Sequence, residues 1–249
     1  MRCQPGSVVV DGVAMSHDDL DCPTPRGPRA SDLRAGCLPN LFTLPKEPET
    51  SYEVPKRLHF IWTDEAIPKE YVANVEGFRR MNPDWECTIW NDSRPWLAKM
   101  RNADEWRHEK NLGGKSDILR YEIVHELGGV YCDLDTVCKR PLDEEAFGTS
   151  FVASHAGAPW RNITNALFGF PAGSKFLDYV IRALPLNYRH RLREPGPNRT
   201  GPTFFTTCLL SYDDPKIRLV EQRVLNLTEE SYMHHQLHAR WTEHGKVVT

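Results

Sequence analysis

This chain of 249 residues contains no run of 18 apolar residues, so the sequence offers no helical membrane span. Its seven cysteines include no C-x-x-C pair, and their odd number argues against both a zinc site and a full disulfide framework. It also lacks an excess of basic charge. Lys and Arg number 31 against 34 Asp and Glu, a formal net charge of −3, so the footprint of a nucleic-acid-binding protein is missing. There is no internal repeat at solenoid or propeller periods. Residues 1–19 carry one arginine and a short broken apolar patch, which does not make a signal peptide. What is present is 40% hydrophobic content, enough to bury one sizeable core.

Residues 1–50 are rich in Pro, Gly, Asp and Arg, and Pro23, Pro25, Pro28 and Pro39 break any helical period, so they read as an irregular N-terminal extension. The folded domain is expected over 51–249. Its pattern predicts strands at 57–62, 86–90, 150–154, 166–170, 217–220 and 224–227. Helices are predicted at 69–81, 96–101, 116–127 and 174–184, with helix or strand at 203–210. Residues 185–200, with three prolines and four arginines, read as a loop, and the tail as irregular. Strands alternating with helices imply a layered α/β domain with a largely parallel sheet.

The densest information lies in residues 115–136, KSDILRYEIVHELGGVYCDLDT. Leu119, Ile123 and Leu127 form one apolar stripe of a helix. Gly128-Gly129 stops it, because glycine alone takes positive φ without steric cost. Val130-Tyr131-Cys132 follows as a buried strand, and in an extended strand Asp133 and Asp135 would project together from its end. Two adjacent carboxylates need a cation or donors, and their oxygen ligands suit a hard divalent ion, Mn²⁺ or Mg²⁺. Asp117 and Arg120, three residues apart, share one face of the preceding helix, either as a solvent-facing ion pair or as part of a site.

These blocks together resemble glycosyltransferase family 32, the D-x-D sugar transferases related to the glucosylating bacterial toxins and the fungal alpha-mannosyltransferases. The resemblance is carried by Ser116-Asp117-x-x-Arg120-Tyr121 with Gly128-Gly129-Val130-Tyr131-x-Asp133-x-Asp135. It is joined by Pro55-Lys56 to Trp62, Asn82-Pro83 to Asp92, Thr200-Gly201-Pro202, and Tyr232 to Trp241. It covers roughly residues 54–241 in the family's order. It implies an α/β, GT-A-type nucleotide-sugar-binding fold, with a mixed, mostly parallel sheet flanked by helices. The implied activity is a retaining, metal-dependent hexose transfer from a nucleotide diphosphate sugar, UDP-hexose or GDP-mannose, to a glycan, lipid or protein acceptor.

The resemblance also implies roles. Asp135 is the metal ligand, with Asp133 at the ribose or the metal and His235 in the metal shell. Asp117 and Arg120 face the donor sugar, Trp62 stacks on the base, and Trp241 closes the site. Leu237 and Arg240 depart from the family pattern around Trp241. Trp62 is equally readable as a core aromatic, and His59 and Tyr121 as structural.

Two rivals stand beside this reading. Asp133-Leu134-Asp135-Thr136-Val137 also spells the nucleophile motif of haloacid-dehalogenase-type phosphatases, in which Asp133 would become an aspartyl phosphate. That motif opens its domain, whereas here it lies past the middle of the chain. The other rival is a catalytically inactive sugar-binding module. The compartment is open: the sequence reads as soluble, while Asn91, Asn162, Asn198 and Asn226 each begin an N-x-S/T sequon that hints at the secretory pathway.

Overall fold

In the computed structural model, residues 7–10, 13–16, 44–63, 66–91, 94–154, 163–193, 196–220 and 231–236 are described. The first two segments are strands β1 (Ser7–Val10) and β2 (Val13–Ser16), paired antiparallel with Val10 opposite Val13. The N-terminal extension is therefore not irregular throughout. A valine-rich run on either side of Asp11-Gly12 is a hairpin signal that the count of prolines obscures.

Among the described residues the main sheet has six strands: β3 (Arg57–Ile61), β4 (Glu86–Trp90), β5 (Gly129–Cys132), β7 (Phe151–Ser154), β8 (Ile163–Phe170) and β9 (Arg218–Val220). Their spatial order is β4-β3-β5-β8-β7-β9, and β8 alone runs against the other five. A short separate ladder pairs β6 (Thr136–Cys138) with β10 (Met233–His235), in a tail expected to be irregular.

Side chains alternate across the sheet as the period of two demands. Tyr131, Val152 and Phe168 enter one core with α4 (Leu112–Leu127), α6 (Lys175–His190) and α8 (Pro202–Tyr212). Val130, Cys132, Phe151 and Leu167 enter the other, with α1 (Lys69–Met81) and α5 (Glu144–Phe147). The remaining helices are short: α2 (Arg94–Leu97), α3 (Ala103–His108) and α7 (Gly196–Arg199).

Two expectations at the edges of elements change. Helix α6 runs on through Pro185 to His190, where a loop was predicted from Pro185 onward, and α7 lies within the same stretch. Proline costs a helix one hydrogen bond. Here Tyr179, Val180, Ile181, Ala183, Leu184 and Tyr188 are all buried on either side of it, and that packing carries the helix past the defect. The packed chain also begins before residue 51. Glu49 Oε1 accepts from Ser174 Oγ at 2.5 Å and from Phe176 N at 2.9 Å, placing a carboxylate on the N-terminus of α6.

At the junction of α4 and β5, Gly128 has φ 65° and Gly129 φ 117°. A Cβ on Gly128 would lie 2.6 Å from the Ala172 nitrogen, and one on Gly129 2.7 Å from the Arg57 carbonyl oxygen. His59 is structural, as read: its Nε2 meets the Gly128 carbonyl at 2.8 Å, and its Nδ1 accepts from Trp90 Nε1 at 3.2 Å.

Candidate active site

Strand β5 ends at Cys132, and Asp133 extends its ladder by one bond, from its N–H to the Ala166 carbonyl at 2.9 Å. The chain then turns through Leu134 and Asp135 before β6, so the two aspartates lie on a turn and not on one extended strand. The turn is clasped from both sides. Asn74 on α1 donates to the Leu134 carbonyl at 2.9 Å, and Gln236 N donates to the Asp135 carbonyl at 2.8 Å.

The pairing of β10 with β6 sets His235 opposite Thr136. His235 Nε2 thereby lies 3.0 Å from Asp135 Oδ1 and 3.7 Å from Asp133 Oδ2. One ligand atom from each of Asp133, Asp135 and His235 falls within 4.8 Å of the others.

The other side of Asp133 is organised by Tyr131 and Arg120. Tyr131 donates its hydroxyl to Asp133 Oδ1 at 2.5 Å, and Arg120 Nη1 stands 3.4 Å from the same oxygen. The guanidinium lies 4.3 Å from the centre of the Tyr131 ring. Arg120 Nη1 also donates to the Asn165 carbonyl at 2.7 Å, and its Nη2 reaches Ser116 Oγ at 3.2 Å and Asp117 Oδ1 at 3.2 Å. Asp117 accepts from Asn165 Nδ2 at 2.8 Å and from Thr200 Oγ1 at 3.0 Å. Asp117 and Arg120 are 9% and 5% exposed, which removes the solvent-facing ion pair as a reading of this couple.

Burial pushes the Asp117 carboxyl up to about 6, against the opposing pull of Arg120, Asn165 and Thr200. Burial also raises Asp133, more than Arg120 lowers it, and the Asp135 charge adds to the rise. Burial disfavours the His235 imidazolium, yet the Asp135 hydrogen bond and the Asp133 charge outweigh it and raise that group. Two carboxylates and an imidazole thus share a half-buried space whose surplus negative charge a divalent cation would offset. The donor set fits such an ion.

The comparisons with known proteins agree with this geometry. The family described as a glycosyltransferase sugar-binding region containing a DXD motif matches residues 68–152, the segment running from α1 through both aspartates into β7. Over these residues, about a third of the chain, the sequence is similar to the DXD glycosyltransferases, family 32.

The chain is 29% identical to inositol phosphoceramide mannosyltransferase 3 of Schizosaccharomyces pombe, over 63% of this chain and 45% of that protein. It is 27% identical to inositol phosphoceramide mannosyltransferase 1 of the same organism, over 78% of this chain and 63% of that one. It therefore spans about half to under two thirds of the length of these relatives. Among solved structures, the UDP-bound glycosyltransferase domain of the YGT toxin matches with TM-score 0.51 at 12% identity, over 68% of this chain and 80% of that one. At that identity the likeness speaks for the fold alone, a GT-A-type one.

Among the residues the sequence pointed to, Asp117, Arg120, Asp133, Asp135 and His235 come together in the structure. Trp62 follows β3, next to the parallel strand β5, and so stands at the same edge of the sheet as Asp133. Its Nε1 donates to the Ala66 carbonyl at 2.9 Å, and its ring centre is 5.4 Å from that of Tyr71. Trp241 lies outside the described residues. Asn165 was missed, though a lone amide in the apolar run ITNALFGF is a visible signal. Thr200 is the threonine of the Asn198 sequon, and its buried hydroxyl on Asp117 gives that residue a structural reason to be there.

Proposed function

We propose that this glycosyltransferase transfers a hexose, with retention, from a nucleotide diphosphate sugar, and that a divalent ion held by Asp133, Asp135 and His235 is required. The observation that carries this reading is the convergence of two carboxylates and an imidazole within 4.8 Å at the C-terminal edge of the sheet. When bound, such an ion supplies charge neutralisation for the departing diphosphate. The imidazole favours Mn²⁺ over Mg²⁺, which takes an oxygen shell.

The chain's own groups then divide the remaining work. Asp117 keeps lone pairs beyond those used by Asn165 and Thr200, and we assign it the donor-sugar hydroxyls. We assign Arg120 a positioning role. Its Nε, Nη1 and Nη2 all donate to protein acceptors, so it acts by fixing Asp117 and Asp133. A carboxylate already tied to an amide, a hydroxyl and a guanidinium is a poor covalent nucleophile. That supports a same-face substitution in which the leaving phosphate helps deprotonate the acceptor. Trp62 and Trp241 are proposed for the base and for closure of the site.

The similarity to inositol phosphoceramide mannosyltransferases makes GDP-mannose and an inositol-phosphate lipid the first donor and acceptor to try, followed by UDP-hexoses and by glycan or protein acceptors. The test is incubation of the protein with Mn²⁺ and labelled nucleotide sugars, followed by assignment of the product's anomeric configuration by NMR. Metal-dependent release of nucleotide with retention supports the reading, and inversion overturns its mechanism. A fluoroberyllate adduct trapped on Asp133 would establish the phosphatase chemistry in its place.

A further inference from the structure

Residues 189–193, Arg-His-Arg-Leu-Arg, take no part in the site above. They form the last turn of α6 and the turn that follows, and Arg189, His190, Leu192 and Arg193 are exposed. Leu192 is 60% exposed and, with Val72, one of two large apolar side chains so placed among the described residues. Arg189 and Arg193 have no carboxylate partner among the described residues. A helix C-terminus accounts for a cation or two near its final carbonyls. It does not account for a bare leucine between them.

This turn is anchored, and the anchor leads to the site. Arg199 Nη1 donates to the Leu192 carbonyl at 3.4 Å, while Arg199 Nε and Nη2 pair with the buried Glu109 carboxylate at 2.9 and 2.8 Å. Asn187 Nδ2 donates to the carbonyls of Asn198 and Arg199 at 3.0 and 2.7 Å. The next residue, Thr200, donates to Asp117 at 3.0 Å. Arg199 thus joins the basic turn to the side of the site where Asp117 stands.

An apolar tip ringed by arginines, on a chain of net charge −3, is complementary to the face of an anionic bilayer. Guanidinium groups pair with lipid phosphates, and a leucine gains by entering the acyl boundary. An acidic protein would have to offer a matching apolar pocket for Leu192 beside its carboxylates, whereas an anionic bilayer supplies both anions and an acyl boundary without one. We propose that residues 189–193 dock this enzyme on a negatively charged phospholipid surface, with the Asp117 side of the site turned toward it. Only the use of that placement, presenting a lipid-borne acceptor, rests on the transferase reading.

The test is co-sedimentation of the whole chain with vesicles of phosphatidylcholine alone and of phosphatidylcholine doped with phosphatidylinositol. Binding is expected to the doped vesicles, weakening as salt rises. The combined variant Arg189→Gln, Arg191→Gln, Arg193→Gln should lose on the order of a hundredfold in vesicle affinity. Leu192→Ser should lose several-fold at unchanged charge. Both should keep wild-type hydrolysis of a soluble donor, which also shows that they fold.

Equal binding to neutral and doped vesicles, or full binding by the triple variant, overturns the proposal. So does equal retention of wild type and Leu192→Ser on vesicles and on heparin beads, which would mark a generic polyanion patch. Asp135→Asn should sediment like wild type. Docking without donor hydrolysis in the wild type would sink the transferase reading and leave the surface standing, and the reverse result would sink the surface alone.

Discussion

The hydroxyl of Tyr131 donates to Asp133 Oδ1 at 2.5 Å, from two residues earlier on the strand that delivers the motif. The strand that places the aspartate therefore also holds it, leaving Oδ2 on the His235 side. Tyr131→Phe deletes this bond, together with the hydroxyl's hydrogen bond to Ser116, and keeps the ring beneath Arg120. Outer-shell donors of this kind are worth about 10- to 100-fold in metal affinity. A tenfold weaker Mn²⁺ affinity in titration calorimetry, with stability lowered by about 1 kcal/mol, is the expected outcome. Unchanged affinity would mean Asp133 is not a ligand.

Arg120 lies buried between Asp117 and Asp133, so its removal acts on both activity and stability. Arg120→Ala takes the guanidinium from the buried Asp117 and the half-buried Asp133 and should cost about 3–5 kcal/mol in denaturant melts. Arg120→Lys keeps the charge without the planar fork that bonds Asn165 and Ser116 together. It should fold and yet lose a hundredfold or more in kcat/KM, about 2.7 kcal/mol. Near-normal turnover in Arg120→Lys would show that charge alone suffices.

Acidity should act on stability through Asp117. Its folded-state value of about 6 lies above the ordinary 3.8, so the folded protein binds the proton more tightly than the unfolded chain. The benefit is complete below pH 4 and is lost as the pH rises to about 6. At 1.36 kcal/mol per pH unit, that difference amounts to about 3 kcal/mol. Asp117→Asn should flatten this part of the stability profile while abolishing transfer. A profile from pH 4 to 6 identical to wild type would remove Asp117 as the cause.

Much of this site is legible in the chain because it is local. The helix period, the glycine pair and the apolar strand before Asp133 each follow from rules that act over a few residues. The convergence of Asp133 and Asp135 was inferred from an extended strand, whereas a turn produces it. His235 is different in kind. It arrives through pairing of β10 with β6 across about a hundred residues of sequence, which no spacing predicts and only the family resemblance indicated. Asn165 was passed over for the same reason, and Thr200 was legible only as part of the Thr200-Gly201-Pro202 block, since the value of both lies in where Asp117 comes to stand. The burial of Asp117 and Arg120 was also hidden, because an i,i+3 pair reads alike on a wet face and a dry one.

Asp133, Asp135 and His235 are predicted to make one metal-dependent nucleotide site. The direct measurement is the melting temperature of wild type and Asp135→Asn with GDP or UDP, each with and without Mn²⁺. A rise that needs nucleotide and Mn²⁺ together in the wild type, and that vanishes in Asp135→Asn at an unchanged starting melting temperature, is the predicted result. A nucleotide-induced rise of equal size without metal, or one that survives in Asp135→Asn, would contradict it.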